Sequence, residues 1–249
     1  MDTIRICAGK TKMIAHRGVS GLEKENTIPA FVAAGNRSHW GIETDVHRTA
    51  DGKLILVHDS DLKRLTGREG SVEETDFDTL RSIPLLGTDG VTPQFCLRMP
   101  KPEEYLEICK KYEKHSVIEL KETMPRETIR QIVDAVVAQE MLGQTVFISF
   151  RYENLVALRE LLPDQPIQYL YKGELGEEQI RAAEAYRFDL DVHYRELTKE
   201  WIDRCHERGI LVNCWTVNDP EIGKQLAEWG IDYITSNILE AAPAGSASV

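Results

Sequence analysis

Short runs of apolar, β-favouring residues recur along the chain at Met13–Ala15, Ile42–Val46, Leu54–Val57, Ser116–Leu120, Thr145–Phe150, Pro166–Tyr171, Phe188–Val192, Ile210–Val217 and Asp232–Thr235. Stretches with apolar residues at helical spacing separate most of them, and these stretches carry boundary residues. Thr27 precedes Ile28-Pro29 and Gly35 ends that helix. Pro125 opens a helix that runs to Gly143, Thr198 opens one that stops at Gly209, and Asp219-Pro220 opens one that stops at Gly230. Strand and helix in alternation imply a parallel sheet covered by helices.

Nine runs are one too many for eight parallel strands, but one pair cannot be parallel. Only seven residues, centred on Asp51-Gly52, separate Ile42–Val46 from Leu54–Val57, whereas a parallel crossover needs about a dozen or more. That pair is a β-hairpin. Removing its return arm leaves eight parallel strands in 249 residues, the size of an α/β fold of the TIM (β/α)8 barrel type. A doubly wound open sheet fits less well, because no Gly-rich first turn is present. Gly9-Lys10-Thr11 has Ile4 where the leading glycine of a phosphate loop would stand. Residues 59–99 interrupt the rhythm with one helix-like piece, Glu73–Ile83, among loops, an excursion of the kind that forms lids or substrate walls. The expectation is one TIM-barrel domain over residues 1–249, with 241–249 a frayed tail.

Composition narrows the partners. Thirty Lys+Arg stand against 41 Asp+Glu, a net charge of −11, which disfavours nucleic acid or an anionic membrane as partner. An anionic ligand must therefore be held locally by Arg, Lys or a metal. Met1–Met13 contains no continuous apolar stretch and so reads as neither a secretory signal nor a spanning helix, which points to the cytoplasm without stable membrane insertion. Cys7, Cys96, Cys109, Cys205 and Cys214 form no CxxC pair, so neither a disulfide frame nor a structural zinc is expected.

Chemistry in such barrels sits at the C-terminal ends of the strands. The first strand ends in His16-Arg17-Gly18. The second carries Glu43, Asp45 and His47 at alternate positions, on one face. A two-residue turn at Asp51-Gly52 would pair Ala50 with Lys53 and set Asp45 opposite His58, with Cβ atoms about 5 Å apart. Glu119 and Lys121 end the third parallel strand, and Trp215-Thr216-Val217-Asn218 end the seventh. Glu43, Asp45 and Glu119 at one barrel mouth repel unless a cation lies among them, and oxygen-only ligands suit Mg²⁺ or Ca²⁺ rather than zinc. Arg17 and Lys121 supply the local positive charge for a phosphate. His16 and His58 flank the cluster as candidates for general acid and general base. A divalent metal, two histidines and two cations describe a site that cleaves phosphodiesters. Taken singly, each residue has an ordinary structural explanation as a loop acid, a core histidine or a core tryptophan. His39, His47, His115, His193 and His206, with Trp40, Trp201 and Trp229, are assigned to that category.

Six strings in order, AHRG at 15–18, ENTIPAF at 25–31, IETDV at 42–46, DGKLILVHDSDLKRLTG at 51–67, VIELK at 117–121 and NCWTVNDP at 213–220, resemble the glycerophosphodiester phosphodiesterase family. The similarity runs from about residue 13 to about 237. It implies a TIM barrel that hydrolyses glycerophosphodiesters such as glycerophosphocholine or glycerophosphoethanolamine to sn-glycerol 3-phosphate and an alcohol. It further implies His16 and His58 as the acid and base pair, Glu43, Asp45 and Glu119 as ligands of one divalent cation, Arg17 and Lys121 on the phosphate, and Trp215 beside the glycerol. A cyclic phosphate formed by a neighbouring glycerol hydroxyl is the implied intermediate. Thr235-Ser236-Asn237-Ile238 departs from the family's TDxP-like string, before a last helix read as short, and LRMPKPEEYLEIC at 97–109 keeps only part of an IPTLEE-like pattern. Two rivals follow. A phospholipase D-like enzyme acting on lysophospholipids would need an exposed apolar rim, for which Leu85, Leu86, Phe95 and Leu97 are candidates. A non-catalytic glycerophosphodiester-binding barrel is disfavoured by the presence of both histidines and all three acids.

Overall fold

The structure, a computed structural model, describes residues 2–243. Met1 and 244–249, most of the stretch read as a tail, lie outside the described residues. Eight parallel strands, β1 (Lys12–Ala15), β2 (Gly41–Arg48), β3 (His115–Leu120), β4 (Thr145–Ser149), β5 (Ile167–Tyr171), β6 (Asp189–His193), β7 (Val212–Trp215) and β8 (Tyr233–Ser236), pair in chain order. The ring closes where β8 pairs with β1, from Tyr233 opposite Lys12 to Ser236 opposite Ala15. The chain folds as the expected TIM barrel. Seven helices cover it: α1 (Ile28–Gly35), α2 (Pro102–Lys111), α3 (Arg126–Ala138), α4 (Tyr152–Leu161), α5 (Glu177–Tyr186), α6 (Lys199–Glu207) and α7 (Pro220–Glu228).

The expected caps act as such. Thr27 accepts from Ala30 N, Thr198 from Trp201 N, and Asp219 from Glu221 N and Ile222 N, satisfying first-turn donors that have no partner within the helix. One boundary differs. Helix α3 ends at Ala138 rather than Gly143, because its buried face of Ile129, Ile132, Val133 and Val136 is complete there and Glu140 turns the chain at φ 58°.

Strand alternation divides the residues between two cores. Ile42, Val46, Ile118, Leu120, Phe147, Leu190, Val192 and Ile234 point outward against Phe31, Leu106, Ile132, Leu158 and Ile202 of the helices. Ile14, Val117, Val146, Ile148, Leu170 and Tyr233 fill the lumen as a separate cluster. Above that apolar plug the inward positions become polar.

The hairpin exists with a different register. The arm Leu54–Leu56 pairs antiparallel with β2, with Val46 opposite Leu56 and Arg48 opposite Leu54. Thr49 N donates to Lys53 O, and the Thr49 hydroxyl contacts both Asp51 and Lys53, so the loop holds three residues with Gly52 at φ 77°. A three-residue loop with a left-handed last residue is a standard hairpin connection. Asp45 therefore lies opposite Val57, whose N–H it accepts at 3.0 Å, and not opposite His58.

The excursion contains two short helices, Lys63–Thr66 and Phe77–Ser82, the latter shorter than the expected Glu73–Ile83, and a small hairpin, Leu85–Leu86 with Pro93–Gln94. It has its own core of Ile55, Val57, Leu62, Leu65, Val72, Leu80, Ile83, Leu85 and Met99. Of the candidate rim residues Leu85 and Leu86 are buried and Leu97 is partly so, whereas Phe95 is 77% exposed.

The chain ends also correct the expectation. Among the described residues no helix follows β8. Instead Leu239–Ala241 pairs in parallel with Ile4–Ile6, which makes Ala241 part of a strand. Glu240, buried, accepts from Thr3, Arg5 and both the N–H and hydroxyl of Ser38. His39, also buried, lies 3.0 Å from Leu239 O through Nε2. Among the described residues no helix is long and apolar enough to cross a membrane.

Burial holds His39 neutral and lowers its pKa to about 4 from an ordinary 6.5. The unfolded chain binds that proton first, so the contribution is whole above pH ~6.5 and is lost as pH falls towards ~4, by roughly 3 kcal/mol. Urea unfolding at several pH values should show this slope. His39→Gln, which can still donate to Leu239 O but does not titrate, should make it shallower without abolishing it, because buried His16 is also lowered to about 4, and an unchanged slope would clear His39 of the effect.

Candidate active site

Beyond β1 the chain turns sharply at His16-Arg17-Gly18. Arg17 has φ 54° and Gly18 φ 77°, and a Cβ at Gly18 would stand 2.6 Å from the Ala30 backbone. Only glycine lets the loop lie against α1 in that conformation. The turn aims Arg17 N–H at Glu43 Oε2, 2.8 Å away. His16 Nδ1 lies 2.6 Å from Asn237 Oδ1, which also accepts from the Ser20 hydroxyl. The ring therefore carries its proton on Nδ1 and presents Nε2, 4.0 Å from Glu43 Oε2. Burial, then the charge of Arg17, lowers the His16 pKa to about 4.

Strand β2 contributes Glu43 and Asp45, and β3 contributes Glu119, which sits beside Asp45 in the sheet register. One oxygen of each lies within 4.8 Å of the other two, and all three side chains are buried. Lys121 Nζ is 2.8 Å from Glu119 and 3.3 Å from Asp45, and Arg17 Nε is 3.4 Å from Asp45. Asn26, at φ 50°, donates to Asp45 at 2.7 Å while Thr44 donates to its amide oxygen. Burial and then Asp45 push Glu119 up to about 7, and the same two causes raise Glu43 well above the carboxylate range. Burial also works against ionised Asp45, but Lys121 and Arg17 outweigh it and keep Asp45 charged. Asp45 Oδ1 is buried and accepts no well-formed hydrogen bond. An all-oxygen donor set with an unused lone pair fits a hard divalent cation.

His58 lies just past the arm, and its Nδ1 donates to Asp59 at 2.6 Å. Asp59 accepts from Arg64 Nε at 2.5 Å, the Arg64 fork grips Glu25 at 2.7 and 2.8 Å, and Glu25 accepts from Arg17 at 2.9 Å. An alternating chain of charge thus ties the two histidine segments together and brings His58 to the site, which direct pairing with Asp45 does not. His47 supports it from beneath, bonding Glu73 and the His58 carbonyl.

A cavity of about 90 Å³ is lined by His16, Arg17, Glu43, His58 and Glu119 on one side and by Ile148, Phe150, Leu170, Asp191, Trp215, Thr216 and Thr235 on the other. Asp45 and Lys121 adjoin it through their ion pairs. The Trp215 ring meets Phe150 and His193 edge-on at 5.4 and 5.3 Å. All eight residues singled out by sequence thus converge. His39, His115 and His206 do not line the cavity, as their structural assignment requires. Sequence reasoning missed the loop residues Glu25, Asn26, Asp59 and Asn237, and Arg64 of the four-residue helix Lys63–Thr66, none of which carries a periodic signal. It also missed Asp191, which has the same signal as Glu43, an acid at an inward strand position.

Carboxylates, cations and two imidazoles meet at the C-terminal mouth of a (β/α)8 barrel, a donor set able to hold a divalent cation beside a phosphate ester. The glycerophosphoryl diester phosphodiesterase family matches residues 16–240, and the chain belongs to that family of phosphoric diester hydrolases. It is 27% identical to the glycerophosphodiester phosphodiesterase of Bacillus subtilis over 90% of this chain and 82% of that one. A glycerophosphodiester phosphodiesterase structure from Parabacteroides distasonis superposes with a TM-score of 0.77 at 29% identity, covering 92% of this chain and 93% of that one. A phosphodiesterase of Oleispira antarctica, solved with its product sn-glycerol-3-phosphate, gives 0.83 at 27% identity, covering 91% and 93%.

Burial lowers the His58 pKa, opposed by the Asp45 charge and by the bond to Asp59. Asp59→Asn should therefore move the His58 titration, followed by proton NMR, to lower pH. A titration that stays in place would mean that Asp59 does not tune this ring.

Proposed function

We propose that the chain is a metal-dependent glycerophosphodiester phosphodiesterase, acting as one domain on soluble diesters such as glycerophosphocholine and glycerophosphoethanolamine. The observation that carries this reading is the convergence on one small cavity of three clustered carboxylates, two cationic side chains and two histidines with Nε2 free. Glu43, Asp45 and Glu119 would hold one Mg²⁺ or Ca²⁺, which when bound neutralises the carboxylates and polarises a phosphoryl oxygen. Arg17 and Lys121 orient the phosphate. Three carboxylates, two cationic side chains, one dication and one diester monoanion together carry no net charge, so the loaded site is balanced in a low-dielectric lumen.

His16, neutral with its proton fixed on Nδ1, takes the proton of the attacking hydroxyl, either that of the adjacent glycerol carbon or of water. The oxygen attacks phosphorus and the bond to the leaving alcohol breaks. His58, whose imidazolium form Asp59 favours, returns a proton to the leaving oxygen. If the glycerol hydroxyl attacks, a cyclic phosphate forms, and water opens it in a second step with the proton roles reversed. Trp215 and Phe150 pack against the carbon skeleton. The excess of acid and the small cavity suit a small soluble diester in the cytoplasm better than a polyanion. The lysophospholipid reading has little support from the excursion, where Val91 and Phe95 are its exposed large apolar side chains.

An assay coupled to release of sn-glycerol 3-phosphate tests the proposal. Turnover should cease on complete chelation and return with Mg²⁺ or Ca²⁺. Glu43→Gln or Glu119→Gln should weaken cation affinity at least ~10-fold by calorimetry. His16→Ala and His58→Ala should each lower kcat by ~10²–10⁴-fold. Activity that survives metal removal, or that neither histidine variant alters, contradicts the mechanism, and turnover confined to a lysophospholipid would replace the substrate class.

A further inference from the structure

Asp191, at the middle of β6, is 1% exposed and lines the cavity, yet its Oδ1 has no hydrogen-bond partner. Its neighbour across the sheet is satisfied. Asn213, beside it on β7, donates to Gln168 at 3.0 Å and accepts from the Thr235 hydroxyl at 3.2 Å. Nor does Asp191 belong to the cation cluster, which consists of Glu43, Asp45 and Glu119. A buried carboxyl without a partner lowers the stability of the fold, so its presence needs another explanation.

We infer that Asp191 is a specificity-determining residue that binds a hydroxyl group of the alcohol esterified to the phosphate, in a subsite walled by Ile148, Leu170 and Trp215. The inference rests on the reading that Arg17 and Lys121 hold the phosphate, since that places the alcohol in the remainder of the cavity. The apolar walls take the C–H faces of a small polyol, and Asp191 offers it a carboxyl partner between them. Burial, with the charge of Glu119 second, pushes the Asp191 pKa well above the usual range. A carboxyl that keeps its proton can both donate to and accept from a hydroxyl.

The test compares wild type with Asp191→Leu and Asp191→Asn in the presence of Mg²⁺. Calorimetry would measure affinity for sn-glycerol 3-phosphate and for inorganic phosphate, alongside thermal unfolding. Expected for Asp191→Leu is an unfolding midpoint at or above wild type, with at least tenfold weaker binding of sn-glycerol 3-phosphate and less than threefold change for inorganic phosphate. Asp191→Asn should recover part of the loss, because an amide can still bond a hydroxyl. Equal losses for the two ligands, lowered cation affinity, or a lower unfolding midpoint with unchanged selectivity would each overturn the inference. A wild-type protein that binds sn-glycerol 3-phosphate through Asp191 but cleaves no diester would refute the catalytic reading and leave this one standing.

Discussion

The arrangement of this molecule depends on one electrostatic constraint, the confinement of three carboxylates within a few ångströms of one another inside a barrel that excludes water. Such a cluster is tolerated only with compensating positive charge. The sheet register forces Asp45 and Glu119 together, so the barrel itself creates the repulsion. Arg17 and Lys121, from the loop after β1 and the end of β3, relieve part of it, and Asn26 adds a neutral donor to Asp45. Burial and Asp45 raise both Glu43 and Glu119, so a proton on either relieves the rest of the repulsion, and a cation held there would compete with that proton.

The elements responsible for this were legible in sequence to unequal degrees. Eight strands and their hairpin could be counted because apolar runs and turn residues obey local rules. The three acids followed from two-residue periodicity, since alternate positions in a strand share a face wherever the strand is placed. The hairpin register failed because the Thr49 hydroxyl captures Asp51 and Lys53 and widens the loop by one residue, a side-chain effect that the Asp51-Gly52 dipeptide does not announce. The pairing of Ile4–Ile6 with Leu239–Ala241 also escaped notice, because three-residue strands joined across the whole chain have no local signature. Polar supports such as Arg64 and Asn237 act through partners far away in sequence.

Stability and function pull in opposite directions along the lumen. Its lower layer, Ile14, Val117, Val146 and Tyr233, packs like any hydrophobic core. The layer above places Glu43, Glu119 and Asp191 where burial opposes their ionised forms. The outer core against the helices and the separate core of the excursion support that strained layer, and the excursion, packed on Val57 and Leu62, is a wall rather than a loose flap.

The hydrogen bond between His16 and Asn237 spans 221 residues, nearly the length of the chain. It joins the end of the first barrel strand to the residue after the last, at the seam where the ring closes. During synthesis His16 emerges 221 residues ahead of the partner that fixes its tautomer. A nascent or truncated chain that lacks the final strand has neither a closed ring nor an oriented His16. The constellation therefore forms only once the segment after β8 is in place, and a chain truncated before Asn237 carries the acids without the oriented imidazole.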